Sequence, residues 1–206
     1  MQARKELIVE PVGIEVEDLP RPIDWAAMFG NDRPVEVEIG CGKGSFLTGQ
    51  ATRRKDTNFF GVEWARWFWR YTSDRLRRNG CADNTRTSRA EARWFMDECV
   101  PPASVSVLHV YFPDPWPKAR HNKRRLIQPS FMPIVERALV PGGRLQVVTD
   151  HLDYWEQIEP TVEGSGLERV EYVPYGAGEG EVAGTNFERK YIEQGRAFHA
   201  IAGRKR

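Results

Sequence analysis

From residue 35 onward the chain alternates between short apolar or β-branched runs and longer amphipathic stretches, and most apolar runs stop at glycine, proline or an acid. Val35-Glu36-Val37-Glu38-Ile39 has the period of a strand and breaks at Gly40, after which Ser45 to about Thr52 predicts a helix. Asn58-Phe59-Phe60-Gly61-Val62-Glu63 predicts a second strand, ending in an acid. Trp64 to Asn79 carries aromatics at 64, 67, 68 and 71 with arginines between and after them, a helical spacing that predicts a core-facing stripe, with Gly80 as C-cap. Thr85 to Arg89 is a weaker strand, followed by Glu91. Val105 to Phe112 is nearly continuous in apolar residues, as in a strand covered on both faces. Pro113-Asp114-Pro115-Trp116-Pro117 ends it, because three prolines fix φ and remove donors. A helix from about Ser130 to Leu139, a turn at Pro141-Gly142-Gly143 and a strand from Arg144 to Thr149 follow, ending at Asp150. His151 to Ser165 reads as helix, Leu167 to Val173 as strand and Gly176 to Gly184 as a loop rich in glycine and acid. Thr185 then caps a short helix, and Gly195 precedes a last strand near Ala197 to Ala202.

Alternation of this length predicts an α/β fold with a doubly wound, mainly parallel sheet. Residues 1–33 form an irregular lead-in with a short helix near 23–29, and 34–206 form the domain proper. Ligands of such sheets sit at the carboxyl ends of the strands, and Glu38, Glu63, Glu91, Asp114 and Asp150 all lie at or just beyond predicted strand ends.

The loop Gly40-Cys41-Gly42-Lys43-Gly44-Ser45 between strand and helix is shaped to hold something, since glycines allow positive φ and a helix start offers free N–H groups. The dinucleotide fingerprint would need glycine at 45, and a P-loop would need Ser or Thr after Lys43. What remains, Glu38-x-Gly40-x-Gly42-x-Gly44, sets an acid beside the loop, which suits a cationic ligand better than a pyrophosphate. It resembles the first motif of S-adenosylmethionine-dependent methyltransferases of the Rossmann-like class. Glu63 lies about twenty residues on, where a carboxylate accepts from ribose hydroxyls.

A second stretch is more specific. Tyr111-Phe112-Pro113-Asp114-Pro115-Trp116-Pro117-Lys118-Ala119-Arg120-His121-Asn122-Lys123-Arg124-Arg125-Leu126 resembles the signature of the bacterial tRNA (guanine-N7-)-methyltransferases. Thr185-Asn186-Phe187-Glu188, with Lys190 and Gly195, is similar to that family's second signature, and Thr149-Asp150 to the acid after its fifth strand. The resemblance spans about residues 34 to 198. It implies methyl transfer from S-adenosylmethionine to N7 of a variable-loop guanine in tRNA, with cofactor contacts at Glu38, Gly40, Gly42, Gly44, Glu63, Glu91 and Asp114. Asp114 is also the implied active-site acid, and Lys118, Asp150, Thr185, Asn186, Phe187 and Glu188 are implied tRNA contacts. Two departures stand out: Glu91 occupies a position where Asp is usual, and the N-terminal segment carries few basic residues.

Charge changes this picture only locally. Lys and Arg number 30 against 29 acids, so the net balance gives no sign of a polyanionic partner. Yet Lys118, Arg120, Lys123, Arg124 and Arg125, with Asn122 among them, put five fixed charges within eight residues beside a strand-end acid, and Trp116 offers a ring for an exposed base. The alternative for that run is a solvated face. Cys41, Cys81 and Cys99 show no paired spacing, and no His lies at ligand spacing from His121, so neither disulfides nor a metal site is indicated. No signal-peptide core or membrane-length apolar run occurs, which points to a cytoplasmic chain, monomeric or homodimeric. Two rivals remain open: an amino-methyltransferase acting on adenine or cytosine, and an inactive cofactor-binding RNA chaperone or partner subunit.

Overall fold

In the computed structural model, which describes residues 6–176 and 183–206, the alternating runs join into one eight-stranded sheet. Its strands are β1 (Gly13–Ile14), β2 (Val35–Ile39), β3 (Asn58–Val62), β4 (Thr85–Ser88), β5 (Val105–Tyr111), β6 (Leu139–Thr149), β7 (Glu168–Val170) and β8 (His199–Arg204). The order across the sheet is β1-β4-β3-β2-β5-β6-β8-β7. β1 to β6 pair in parallel, and β8 enters antiparallel to both β6 and β7. The order reverses between β2 and β5, the topological switch where such sheets open a crevice for ligand. All five residues of β2 are buried, because helices cover both of its faces.

The helices are α1 (Trp25–Phe29), α2 (Ser45–Arg53), α3 (Arg66–Arg78), α4 (Ala92–Trp94), α5 (Met132–Ala138), α6 (Leu152–Glu163) and α7 (Asn186–Glu193). α4 continues into a π-helical turn, Phe95–Cys99. One apolar layer joins Val37, Val62, Leu108 and Val147 to Phe95, Phe131 and Tyr154, and a second on the opposite face holds Phe46, Leu47, Phe59, Leu76 and Tyr111. The lead-in is built into this core: β1 extends the sheet beyond β4, and Trp25 meets Phe60 edge-on at 5.5 Å.

Three sequence expectations change. The stripe at 64, 67, 68 and 71 does not face the sheet: Trp64 is 66% and Trp67 55% exposed, whereas Trp69 is 1% exposed. The inward face of α3 is Trp69, Thr72, Ser73 and Leu76. Its two hydroxyls hide this face from a hydrophobic count, and each is satisfied internally: Thr72 donates to Gly42 O at 2.6 Å, and Ser73 bonds Trp69 O at 2.8 Å. The seventh strand shortens to three residues and the last begins at His199, two positions later than its pattern implies. Of the glycine-rich loop expected at 176–184, residues 177–182 lie outside the described part. Among the described residues no helix is long and apolar enough to cross a membrane.

Candidate active site

At the carboxyl end of β2 the chain turns through Gly40, Gly42 and Gly44 with φ of 75°, 51° and 68°, a left-handed run that only glycine adopts without strain. A Cβ at Gly44 would also stand 2.5 Å from Thr72, so α3 packs directly against the loop. Glu63, just past β3, fixes the loop from the other side: Gly42 N–H donates to its Oε2 at 2.9 Å and Ala65 N–H to its Oε1 at 2.8 Å. Past β4, Glu91 caps α4 by accepting from Arg93 N–H at 3.0 Å and Trp94 N–H at 2.7 Å. Three strand ends thus present acids already oriented by backbone donors or by prolines.

These ends enclose a cavity of about 880 Å³ whose walls include Gly40, Gly42, Glu63, Glu91 and Asp114. The same lining carries the cations Lys43, Arg93, Lys123, Arg124 and Arg125, with Asn186 and Phe187 from α7. Glu38 lies beneath the loop rather than on the wall. Burial, with a push from the Glu63 carboxylate, raises its carboxyl to about 8, and among the described residues its buried Oε2 has no partner. An orphaned buried carboxyl oxygen beneath a loop of bare glycines fits a ligand that supplies a hydrogen-bond donor. A Cβ at Gly40 would meet no atom within 4 Å, so the cradle itself is open.

The acid-proline turn that carries Asp114 is held in an uncommon shape. Phe112 and Trp116 have φ of 50° and 45°, positions that cost roughly 1–3 kcal/mol each and persist only where the surroundings enforce them. Arg125 is the enforcer: only 3% exposed, it donates from Nε to Pro115 O at 2.8 Å and from a guanidinium nitrogen to Gln157 Oε1 at 3.0 Å, pairs with Asp153, and stacks over Tyr154 at 4.9 Å.

A family model described as "Putative methyltransferase" matches residues 32–201. A tRNA (guanine-N(7)-)-methyltransferase of Geobacter metallireducens is 39% identical over 160 residues, covering 76% of this chain and 75% of that protein. One from Myxococcus xanthus is 33% identical over 198 residues, 94% of each chain. The chain belongs to the tRNA (guanine-N(7)-)-methyltransferase family. Among solved structures, the geranyl diphosphate C-methyltransferase of Streptomyces coelicolor A3(2), in complex with S-adenosyl-L-homocysteine, superposes with a TM-score of 0.56 at 16% identity, covering 85% of this chain and 70% of that one. At that identity the likeness concerns the fold.

Within this chain the expected tRNA contacts divide. Lys123 and Arg124 face the cavity, with the Arg124 guanidinium 4.9 Å above the Trp116 ring. Lys118 and Arg120 are exposed on the 3-10 turn Ala119–Arg124 and its N-cap, outside the cavity wall, and the buried Oδ1 of Asn122 has no partner among the described residues. Arg125, expected with them on phosphates, also borders the cavity, but it is the buried brace just described, its guanidinium taken up by Pro115 O, Gln157 and Asp153. Glu188 likewise does not face a substrate: it is fully buried and accepts from Ala183 N–H at 2.8 Å and Gly184 N–H. Thr185 caps α7 by accepting from Glu188 N–H at 3.1 Å, and Asp150 pairs with Arg196. That leaves Asn186 and Phe187 as the residues of the Thr185–Glu188 motif that reach the cavity.

Sequence patterns gave no sign of Lys43 and Arg93 as cavity-lining cations, although one lies within the glycine loop and the other sits two residues past Glu91. Nor did they point to a polar chain buried behind the loop. There Glu36 accepts from Arg54 at 2.6 Å and meets His109 Nε2 at 2.9 Å, while His109 Nδ1 meets Tyr111 Oη at 2.8 Å. Against the upward push of burial, His109 and Arg54 hold the Glu36 carboxyl below its ordinary value. A strand-period Glu and His carry no signal of such pairing in the sequence.

Proposed function

We propose that the cavity binds S-adenosylmethionine along the glycine loop and β3 end, receives a variable-loop guanosine of tRNA at Asp114, and places guanine N7 in line with the donor methyl. The observation that carries this reading is the mixed lining of one cavity: three strand-end carboxylates, Glu63, Glu91 and Asp114, stand in it together with the cations Lys43, Arg93, Lys123 and Arg124. Carboxylates suit ribose hydroxyls and a cationic cofactor, and cations suit the phosphates of an RNA. When bound, S-adenosylmethionine supplies an electrophilic sulfonium methyl. Glu63 retains lone pairs beyond its two backbone bonds for the ribose, and Glu91 faces the nucleoside end.

Guanine N7 bears an in-plane lone pair and no proton, so transfer needs no strong general base. Rate enhancement then comes chiefly from alignment, to which Asp114 contributes by accepting from the guanine N1–H and amino group and by stabilising charge that develops on the purine. Lys123 and Arg124 meet phosphates, and Trp116 offers a stacking face. The reading takes the protein to work as monomer or homodimer, in the cytoplasm where its tRNA substrate resides. The test is incubation of purified protein with labelled S-adenosylmethionine and unmodified tRNA, followed by nucleoside mapping. Label in 7-methylguanosine of the variable loop is expected. Label on an exocyclic amine of adenine or cytosine would replace this reading with amino-methylation.

A further inference from the structure

Trp64 and Trp67, 66% and 55% exposed, stand outside the core that the rest of α3 helps to build. An indole left in water forgoes the burial that makes aromatics the main contributors to cores and interfaces, so two within four residues mark a surface with another use. Trp67 is also held in place. Tyr71 lies against one face of its ring, centroids 5.3 Å apart and planes 17° apart, and Phe68 meets it edge-on at 5.1 Å. With one face covered and more than half the side chain exposed, the other face is open.

The nearest acids of the cavity, Glu63 and Glu91, are engaged by backbone N–H groups, whereas among the described residues the cations around this platform are not taken up. The Arg89 guanidinium lies 6.0 Å from the Trp64 ring, and among the described residues Lys43, Arg66 and Arg89 form no ion pair. The lone acid of α3, Asp74, is 2% exposed and taken up by Arg77 and Arg78 at 2.8 and 2.9 Å. The surface is continuous with the site, because Lys43 and Trp64 also line the cavity. A second copy of the chain docked here would bring these cations against their own equivalents, whereas a polyanion with exposed bases satisfies both the rings and the charges.

We propose that the start of α3 is a second RNA contact, separate from the 118–124 run, in which an unpaired base of the bound tRNA stacks on the open face of Trp67 while adjacent phosphates meet Arg66 and Arg89. This inference rests on the reading of tRNA as substrate. The experiment is titration of the full chain with unmodified tRNA at several salt concentrations, with circular dichroism to show that each variant is folded. Trp67→Ala weakens binding about tenfold with an unchanged salt slope, because stacking releases no counterions. Trp67→Phe keeps affinity within about threefold, while Trp67→Leu, apolar but without a π face, behaves like the alanine variant. Arg66→Gln with Arg89→Gln instead lowers the log–log slope by about 0.7–0.9 for each phosphate no longer neutralised. The idea is overturned if folded Trp67→Ala binds tRNA as wild type does, if Leu serves as well as Phe, or if sedimentation shows a dimer that Trp67→Ala dissolves. Lys123→Gln with Arg124→Gln is the control. If that variant weakens and Trp67→Ala does not, only the α3 contact fails; if neither weakens, the tRNA reading itself fails.

Discussion

The Glu63 carboxylate and the Gly42 amide, 21 residues apart in sequence, meet at 2.9 Å and tie the end of β3 to the glycine loop. One acid therefore shapes the loop and also fronts the cavity. Glu63→Gln keeps the size of the side chain but sets an amide N–H₂ against one of two backbone donors. A hydrogen bond to a charged group contributes roughly 1.5–3 kcal/mol, so the variant should lose stability on that order and bind S-adenosylmethionine at least tenfold more weakly. Calorimetric titration of the folded variant checks this, and wild-type affinity would remove Glu63 from the ribose role.

Glu38 gives the apo-protein a pH dependence whose sign can be worked out. Its carboxyl, ordinarily near 4.5, is pushed up to about 8 by burial and then by Glu63, so between those values the folded chain keeps a proton that the unfolded chain has released. The corresponding stability is fully present below pH 4.5 and is lost as pH rises through about 8. Each pH unit between the two values is worth about 1.4 kcal/mol, which puts the whole effect at several kcal/mol. Urea unfolding at pH 6, 7 and 8 should show wild type weakening relative to Glu38→Gln, which has no proton to lose. Parallel profiles for the two proteins would mean that the buried carboxyl is already ionised.

What the sequence disclosed and what it hid follow from the same physics. Glu63, Glu91 and Asp114 were legible because a strand that ends in an acid or a Pro-bracketed acid announces its rim position, and the glycines were legible because three left-handed residues admit little else. The α3 stripe misled because Thr72 and Ser73, which carry the inward face, register as polar while Trp64 and Trp67 register as apolar. Arg125 was indistinguishable from Arg124 in a basic run, since only the fold supplies Asp153, Gln157 and Pro115 as its partners. The capping spacing of Thr185 and Glu188 was visible, but not that the Glu188 carboxylate turns back to Ala183 and Gly184 rather than toward the site.

That contrast within the basic run separates two variants. Lys123→Gln with Arg124→Gln should weaken tRNA binding and reduce its salt slope by about 0.7–0.9 per phosphate released, leaving stability within roughly 0.5 kcal/mol. Arg125→Gln should leave the slope in place but cost roughly 2–4 kcal/mol of stability. Its guanidinium is buried, although Asp153 on the other side is 59% exposed and screened, which keeps the loss below that of a fully buried pair. A flattened salt slope for folded Arg125→Gln would restore that residue to the RNA contact.

The strained turn around Asp114 supplies the most direct test of the chemistry. Asp114 is exposed to the cavity between Phe112 and Trp116, both in the left-handed region, and Arg125 holds the turn through Pro115 O. On the proposed reading, phosphates provide most of the RNA affinity and the glycine loop most of the cofactor contact, so Asp114→Ala should bind both ligands nearly as wild type does. Turnover should fall steeply, about a hundredfold from lost alignment and by roughly 3–4 kcal/mol more if the carboxylate also stabilises charge on the purine. Asp114→Asn divides these contributions: it keeps one acceptor oxygen but no charge, so partial activity means positioning and complete loss means charge stabilisation. Arg125→Gln offers an independent check, since loosening the turn should lower turnover while Asp114 itself remains. Single-turnover methylation at saturating cofactor and tRNA reads the chemical step apart from binding. An alanine variant that turns over at the wild-type rate would move the catalytic role off this turn, with Glu91 and Glu63 the remaining acids on the cavity wall.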